Sequence, residues 1–550
     1  MNHDLIEKVE RWIADDPDET TATHAQQVLD DAKSGDEQAV AQLTAWFGDL
    51  LQFGTAGLRG PIAPGPSCMN RAVVMRAAQG LINYLLKNGG KRIVVGYDAR
   101  HRSIDFALDT VELAAASGLE AILLPRTLPT PVLAFAVRYL KADAGVMVTA
   151  SHNPPQDNGY KVYLGDGSQI VPPQDADIAA EIAAINSVKD LPRAESWELA
   201  DEAVVEAYIN SAAATFEMAG LPQVQAVYTP LHGVGYETLV ATVKTAALAE
   251  LSVVVEQSEP DPDFPTVAFP NPEEAGATDL LLELASLKNA DIAIANDPDA
   301  DRCAAAIKDG ATWRLLRGDE VGVLLGWWSI KRNELLGRPK LSGVFAASIV
   351  SSTMLSKIAT AHNLEYQGTL TGFKWIAKVP NLIFGYEEAL GYCVDPQSVG
   401  DKDGISAAIR LLELTAWLKS ESKTFPQLLD ELATTYGLHM TDQLSVRMQD
   451  LAAIPAAVSR LRSTPPSTVG GLSVTQVVDL AKGWNDLPPT DGILLLLEGG
   501  QVIARPSGTE PKLKCYLEVQ ITTDDVATDR AKAQEILAAM KIDMAKALGV

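Results

Sequence analysis

The sequence predicts a multidomain α/β protein in which three similar mixed α/β domains precede a fourth domain of α+β type. Three observations predict it. At 550 residues the chain is well beyond the length at which a single hydrophobic core stops growing. From about residue 90 strand-like and helix-like apolar runs alternate, as in βαβ units. The alternation passes through the same order three times and then gives way to consecutive strands.

The elements follow in order. Leu5, Val9, Trp12 and Ile13 mark one face of an amphipathic N-terminal helix, which begins a helical extension. In the first α/β unit, RIVVGYDAR precedes the helical SIDFALDTVELAAASG, the strand AILLP, a helix around PVLAFAVRYL and the strand AGVMVTASHNP. The second repeats the order through QAVYTPLHG, GYETLVATVKTAAL, LSVVVEQ, GATDLLLELASL and DIAIANDPDADR. The third runs through GVFAASIVS, STMLSKIATAHN, LEYQGTL, GFKWIAKV and NLIFGYEEALGY. The last part holds GILLLLEGGQVIARPSGTEPKLKCYLEVQI, read as consecutive strands, and a helix from about Asp529 to Leu548. The boundaries expected are 1–200 for the extension and domain I, 201–315 for domain II, 316–440 for domain III and 441–550 for domain IV.

Composition narrows the function. With 47% hydrophobic and 21% charged residues the chain is expected to be globular. A formal charge of −26, from 45 basic and 71 acidic residues, argues against nucleic acid and anionic membranes as partners. No apolar run approaches a bilayer span, and the acidic N-terminus has no signal-peptide core. Cys68, Cys303, Cys393 and Cys515 are scattered, with no metal-ligand spacing, and read as reduced thiols of a cytoplasmic protein.

Ligands of open α/β sheets collect beyond the carboxyl ends of the strands. TASHNP, DPDADR and GYEEALG each occupy that place in their unit. Asp297, Asp299 and Asp301 recur at alternate positions, and convergent carboxylates need a cation. Oxygen-only ligands point to a hard ion, and a site with room for a phosphate oxygen suits Mg²⁺. Arg505, Ser507, Gly508 and Thr509 in ARPSGTEPK combine a guanidinium, two hydroxyls and a flexible backbone, a composition suited to phosphate. Arg59 in FGTAGLRG, and Thr371, Gly372 and Lys374 in GTLTGFKWI, are read as loops that supply cations to a dianionic ligand.

Ser151 lacks a nucleophile elbow, since Thr149 and Asn153 stand where glycines are wanted, and the adjacent His152 is poorly placed as its base. Acyl transfer is therefore disfavoured. Phosphorylation fits better, because its added negative charge requires a cation between Ser151 and the aspartates. Asn153-Pro154-Pro155 and Asn158-Gly159 are expected to bend the chain so that Ser151 and Lys161 reach one site.

TASHNP, DPDADR, GYEEALG and RPSGTEPK, in this order, resemble the α-D-phosphohexomutase superfamily. FGTAGLRG, GTLTGFKWI and DKDGI resemble its phosphoglucomutase 2-like and phosphopentomutase branch. The resemblance implies four domains around a central cleft, three of mixed α/β sandwich type and a last one of TATA-binding-protein-like topology. It implies an isomerase that moves a phosphoryl group between the 1-position and the 6- or 5-position of an aldose phosphate. Phospho-Ser151 is the donor, and a sugar bisphosphate is the intermediate and activator. By the family's pattern Ser151, Asp297, Asp299 and Asp301 hold one Mg²⁺, with Arg302 close by. Lys161 and Arg59 match groups for proton transfer or phosphoryl stabilisation, and His152 a group that orients the loop. Glu387 matches the glutamate that reads sugar hydroxyls, and Arg505, Ser507, Gly508 and Thr509 the loop that holds the other phosphate.

One departure concerns the sugar. Many hexomutases carry E-x-S, whereas this chain reads Glu387-Glu388-Ala389, so glucose, mannose and pentose phosphates stay open as substrates. The alternatives on the same fold are a Mg-dependent sugar phosphatase, in which water accepts the phosphoryl group, and a sugar-bisphosphate synthase. A monomer or homodimer acting on a small phosphosugar is expected.

Overall fold

The apolar runs become strands and helices where their periodicity places them, but the sheets are mixed in direction rather than purely parallel. The computed structural model describes residues 2–53, 57–448, 453–507 and 512–550. They fall into two compact units, one of residues 1–315 with 391–417, the other of 316–390 with 418–550.

The first unit opens with helices His3–Asp15, Glu19–Lys33 and Glu37–Trp46. Asn2, Asp18 and Asp36 accept backbone hydrogen bonds at their N-termini. Val9, Leu29, Leu43 and Phe47 form a separate small core beneath them.

A six-stranded sheet follows, in the spatial order Leu58–Pro61, Asp157–Leu164, Ala144–Val148, Arg92–Tyr97, Glu120–Leu123, Glu198–Leu199. Its last four strands are parallel. Every residue of Ala144–Val148 is buried, as expected for a central strand covered on both faces. Asp157–Leu164 runs antiparallel to Ala144–Val148 and to Leu58–Pro61. The turn expected at Asn158-Gly159 is therefore part of a strand. Gly159 serves close approach there, since a Cβ would lie 2.5 Å from the Thr149 carbonyl oxygen and 2.9 Å from that of Leu58.

The second sheet of this unit has the order Thr312–Leu315, Ala304–Asp309, Ile292–Ala295, Val224–Thr229, Ala249–Val253. The last three strands are parallel and the first two form an antiparallel extension. The strand Ala304–Asp309 returns directly after the aspartate loop, so the chain reverses at Asp297–Asp301.

In the second unit Glu365–Thr369, Val344–Ser348 and Leu382–Glu387 are parallel neighbours. Helix Gly318–Leu335 contains the apolar run VGVLLGWWSI and is mostly buried. Glycines at 322 and 326 let it approach the sheet and the helix Met354–Ala361, because a Cβ at 322 would lie 2.3 Å from Tyr386, and one at 326 would lie 3.1 Å from Phe384 and 2.5 Å from Leu355. The C-terminal part is a six-stranded antiparallel sheet, Leu438–Arg447, Lys512–Ile521, Gly500–Pro506, Ile493–Leu497, Leu472–Asp479, Thr468–Val469. Helices Ala453–Ser463 and Val526–Leu548 bury Val458, Leu461, Leu537 and Met540 in one core with it.

Candidate active site

Two loops of the first unit meet at a cluster of buried charge. One leaves the carboxyl end of Ala144–Val148, the other that of Ile292–Ala295. Ser151 stands in the left-handed region at φ 53°, which costs a residue with a Cβ free energy. Its N–H is received by Thr149 Oγ1 at 2.9 Å, and the Asn153 N–H by the Ala150 carbonyl at 3.1 Å, which closes a tight turn. The turn aims Ser151 Oγ at Asp297, to whose Oδ2 it donates at 2.7 Å, with His152 Nδ1 3.2 Å from the same hydroxyl.

Asp297, Asp299 and Asp301 are all buried, and one oxygen of each lies within 4.8 Å of the others. Ala300, at φ 53°, turns the chain between them. The loop is fixed from several sides. Asn296 accepts from Tyr228 OH at 2.9 Å and donates to the Arg302 carbonyl at 2.5 Å, while Asp297 Oδ1 accepts the Arg302 N–H at 3.0 Å. Thr130, at the start of helix Thr130–Tyr139, donates its hydroxyl to Asp299 Oδ2 at 2.6 Å. Lys161, on strand Asp157–Leu164, donates to Asp299 at 2.7 Å and Asp301 at 2.8 Å, and Lys402 comes within 3.4 Å of Asp301. Arg302 Nε lies 3.8 Å from Asp297.

The electrostatics separate the groups. Burial, then the charges of Asp299 and Asp301, push Asp297 up to about 8. Burial acts upward on Asp299 too, but the charge and hydrogen bond of Lys161 outweigh it and hold the carboxyl below its ordinary value. Burial lowers Lys161, and the two aspartates more than reverse this, so the ammonium stays charged. His152 is driven well below its usual value by burial and by the charges of Arg302, Arg59, Arg100 and Lys161, which leaves a neutral imidazole.

Asp299 Oδ1 and Asp301 Oδ1 are buried without a hydrogen-bond partner. Two orphaned carboxylate oxygens beside an Asp297 that cannot easily stay charged are the donor set that a hard divalent cation satisfies. The residues fit Mg²⁺.

Arg59, on strand Leu58–Pro61, joins the cluster through a 3.1 Å hydrogen bond from Nη1 to Asn153 Oδ1. Gly57, at φ 75°, lets this strand approach, since a Cβ would fall 1.8 Å from the Tyr160 carbonyl oxygen.

The remaining sequence-predicted residues belong to the second unit. Glu387 ends strand Leu382–Glu387. The backbone of Glu388 passes over Gly318, whose Cβ would lie 1.9 Å from the Glu388 carbonyl oxygen. Glu388 Oε2 accepts from Ser348 Oγ at 3.0 Å and Ser351 Oγ at 3.4 Å, which pins the turn after Glu387. Thr371 and Gly372 lie in a loop, but Lys374 is buried in the short helix Phe373–Ala377 rather than in a loop. Arg505 is on strand Gly500–Pro506, and the Ser507 N–H bonds the Lys512 carbonyl at 2.8 Å. Gly508 and Thr509 lie outside the described residues.

Sequence reasoning missed Arg100, Thr130 and Lys402. Each stands in a segment that was read, YDAR, the start of the PVLAFAVRYL helix and DKDGI, but nothing local marks it. Thr130 and Asp299 are 169 positions apart.

Four family descriptions match the chain in sequence order. Domains I, II and III of phosphoglucomutase/phosphomannomutase, all alpha/beta/alpha, match residues 50–189, 206–310 and 317–436, and the C-terminal domain matches 445–538. The chain belongs to the phosphoglucomutase/phosphomannomutase family. The phosphohexomutase fold also underlies a solved structure from Paramecium, the phosphoglucomutase parafusin in an open form. It is 19% identical with a TM-score of 0.71, covers 91% of this chain and 96% of its own, and shows the fold alone. Among sequence relatives, a Haemophilus influenzae protein named "Probable phosphomannomutase" is 48% identical, covering 85% of this chain and 96% of its own. The human phosphopentomutase is 34% identical, covering 94% and 91%. This member of the family is a phosphosugar mutase, an isomerase. Among the described residues no helix is long and apolar enough to cross a membrane.

Proposed function

We propose that Ser151 is the phosphoryl carrier and that Asp297, Asp299 and Asp301 hold one Mg²⁺ beside it. The 2.7 Å contact of Ser151 Oγ with Asp297, next to two orphaned aspartate oxygens, carries this reading. The bound ion supplies positive charge where the phosphoryl group's negative charge moves.

The protein's own groups do the rest. In the forward half-reaction the bond from phosphorus to Ser151 Oγ breaks as a sugar hydroxyl oxygen bonds to phosphorus and gives up its proton, and the released Ser151 Oγ takes one up. The sugar bisphosphate turns over, and its other phosphoryl group passes to Ser151 Oγ, which loses its proton as the sugar oxygen left behind gains one. His152, with Nδ1 3.2 Å from Oγ, is suited to orient the serine hydroxyl and its loop. Lys161, held charged by two aspartates, is suited to stabilise the transferring oxygens rather than to act as a base. Arg59 and Arg302 add positive charge. Glu387 is assigned to the sugar hydroxyls, Thr371, Gly372 and Lys374 to ligand binding, and Arg505, Ser507, Gly508 and Thr509 to the phosphate that is not transferring.

A hexose phosphate is the first reading of the substrate, supported by the 48% identical relative named for mannose. A pentose phosphate is the second, favoured by Ala389, which removes a sugar-binding hydroxyl. A cytoplasmic location is in keeping with four buried, unpaired cysteines, and the assembly proposed is a monomer or homodimer.

A coupled assay tests the function, using the 1-phosphates of glucose, mannose, ribose, deoxyribose and glucosamine with Mg²⁺ and a sugar bisphosphate. Isomer formation with the highest kcat/KM on a hexose is expected. Preference for ribose or deoxyribose selects the pentose reading, and inorganic phosphate without isomer selects a phosphatase.

A further inference from the structure

Three carbonyl oxygens of the serine loop and that of Asp157, the first residue of the strand after it, converge on one buried side chain, that of Arg100. Its Nη2 donates to the Ser151 carbonyl at 2.7 Å and to that of Asn153 at 2.5 Å. Its Nη1 donates to the Pro154 carbonyl at 2.9 Å and to that of Asp157 at 3.2 Å. Ser151, Asn153 and Pro154 lie in the loop between strands Ala144–Val148 and Asp157–Leu164, outside the ladder, and Asp157 opens the second strand; the guanidinium serves all four carbonyls, that of Pro154 together with the Asp157 N–H at 3.1 Å.

Arg100 is itself held. It is 4% exposed, with Nε 3.5 Å from Asp98 and the guanidinium 4.9 Å over the Phe264 ring. Asp98 Oδ1 accepts the Arg100 N–H at 3.0 Å and the Ser103 hydroxyl at 2.6 Å. Asn158 Nδ2 donates to the His101 carbonyl at 2.9 Å, which ties the two loops together a second time.

This grip bears on chemistry because Ser151 is in a strained backbone conformation at φ 53°. Thr149 fixes its N–H, and Arg100 fixes its carbonyl. With both peptide groups held, Oγ is directed at Asp297; with the carbonyl free, the residue can relax toward an ordinary φ and swing the hydroxyl away.

We infer that Arg100 is a positioning residue for phosphoryl transfer, acting through the Ser151 carbonyl and not on the reacting atoms. The role rests on the assignment of Ser151 as carrier. It requires the planar fork of a guanidinium, since an ammonium is a point charge that cannot span four acceptors in one plane.

The test uses Arg100→Lys, Arg100→Ala and Phe264→Leu in the full chain. Glucose 1,6-bisphosphate is the phosphoryl donor, and intact mass spectrometry follows Ser151 phosphorylation in a single turnover. Wild type should take up one phosphoryl group. Arg100→Lys should lose roughly 10²-fold in that rate and in kcat, while KM for the sugar phosphate stays within about threefold. Arg100→Ala should recover at least about tenfold with added ethylguanidinium and not with ethylammonium. Phe264→Leu should lose roughly threefold in kcat at unchanged KM.

Wild-type rates of Ser151 phosphorylation per folded Arg100→Lys molecule, or no guanidinium rescue, would overturn the inference alone. No phosphoryl uptake by wild-type Ser151 would overturn the carrier assignment, and this role with it. Should both Arg100 variants fail to fold, an unchanged kcat in Phe264→Leu overturns the role and a lowered one at constant KM supports it.

Discussion

Ser151 Oγ donates a 2.7 Å hydrogen bond to Asp297 Oδ2 across 146 positions of sequence. Two loops, each unremarkable alone as a polar turn, thereby become one site. Replacing the hydroxyl tests the site most directly. Ser151→Ala should lower kcat by on the order of 10⁴-fold or more and abolish the phosphoryl adduct in intact mass spectra. A variant with full mutase activity would eliminate Ser151 as carrier.

Metal removal is the second prediction. Asp299 Oδ1 and Asp301 Oδ1 are buried and unpartnered, so a cation should stabilise the fold as well as activate it. Treatment with a chelator should abolish turnover and lower Tm, and Mg²⁺ should restore both. Asp301→Asn should weaken Mg²⁺ binding, read by titration calorimetry. Activity that survives exhaustive chelation would contradict the metal assignment.

The third prediction concerns stability against pH. Asp319, in the first turn of helix Gly318–Leu335, accepts the Ser352 N–H at 2.6 Å and Tyr386 OH at 3.0 Å. Burial pushes its carboxyl up to about 7, with the Glu388 and Glu518 charges adding to the shift. Since the folded-state value lies above the unfolded one, between about pH 4 and 7 the native chain keeps a proton that the unfolded chain has released. Stability therefore falls as pH rises through that window, by on the order of a few kcal/mol. Asp319→Asn can keep the Ser352 and Tyr386 bonds without the charge. Its Tm should drop less than that of wild type between pH 5 and pH 8, and equal slopes would rule the mechanism out.

Gly318 offers a fourth test. An alanine Cβ there would meet the Glu388 carbonyl oxygen at 1.9 Å and its carbon at 2.7 Å, both backbone atoms without freedom to yield. Gly318→Ala should cost about 1–3 kcal/mol in stability. By displacing the turn after Glu387 it should also raise KM for the sugar phosphate roughly tenfold. An unchanged KM in a destabilised variant would separate the turn from substrate binding.

Much of this was legible in the chain. A fully buried strand such as AGVMV announces itself by a continuous apolar run, and the three passes of alternation gave the α/β units without any contact information. DPDADR spaces its carboxylates for convergence within five residues, so the aspartate cluster could be read locally. The strand Asp157–Leu164 could not. Asp157-Asn158-Gly159 has turn chemistry, and only the neighbouring backbones of Thr149 and Leu58 explain why a glycine stands in a strand.

The sequence by itself determined which loops leave the carboxyl ends of the strands and which residue types they hold, because periodicity and local composition are written over short spans. The tertiary structure decided which distant groups meet them: Thr130 on Asp299, Lys402 near Asp301, and Arg100 beneath the carbonyls of the Ser151 loop. It also decided the charge states, since a buried carboxylate or imidazole takes its proton affinity from neighbours that only folding brings within a few ångströms.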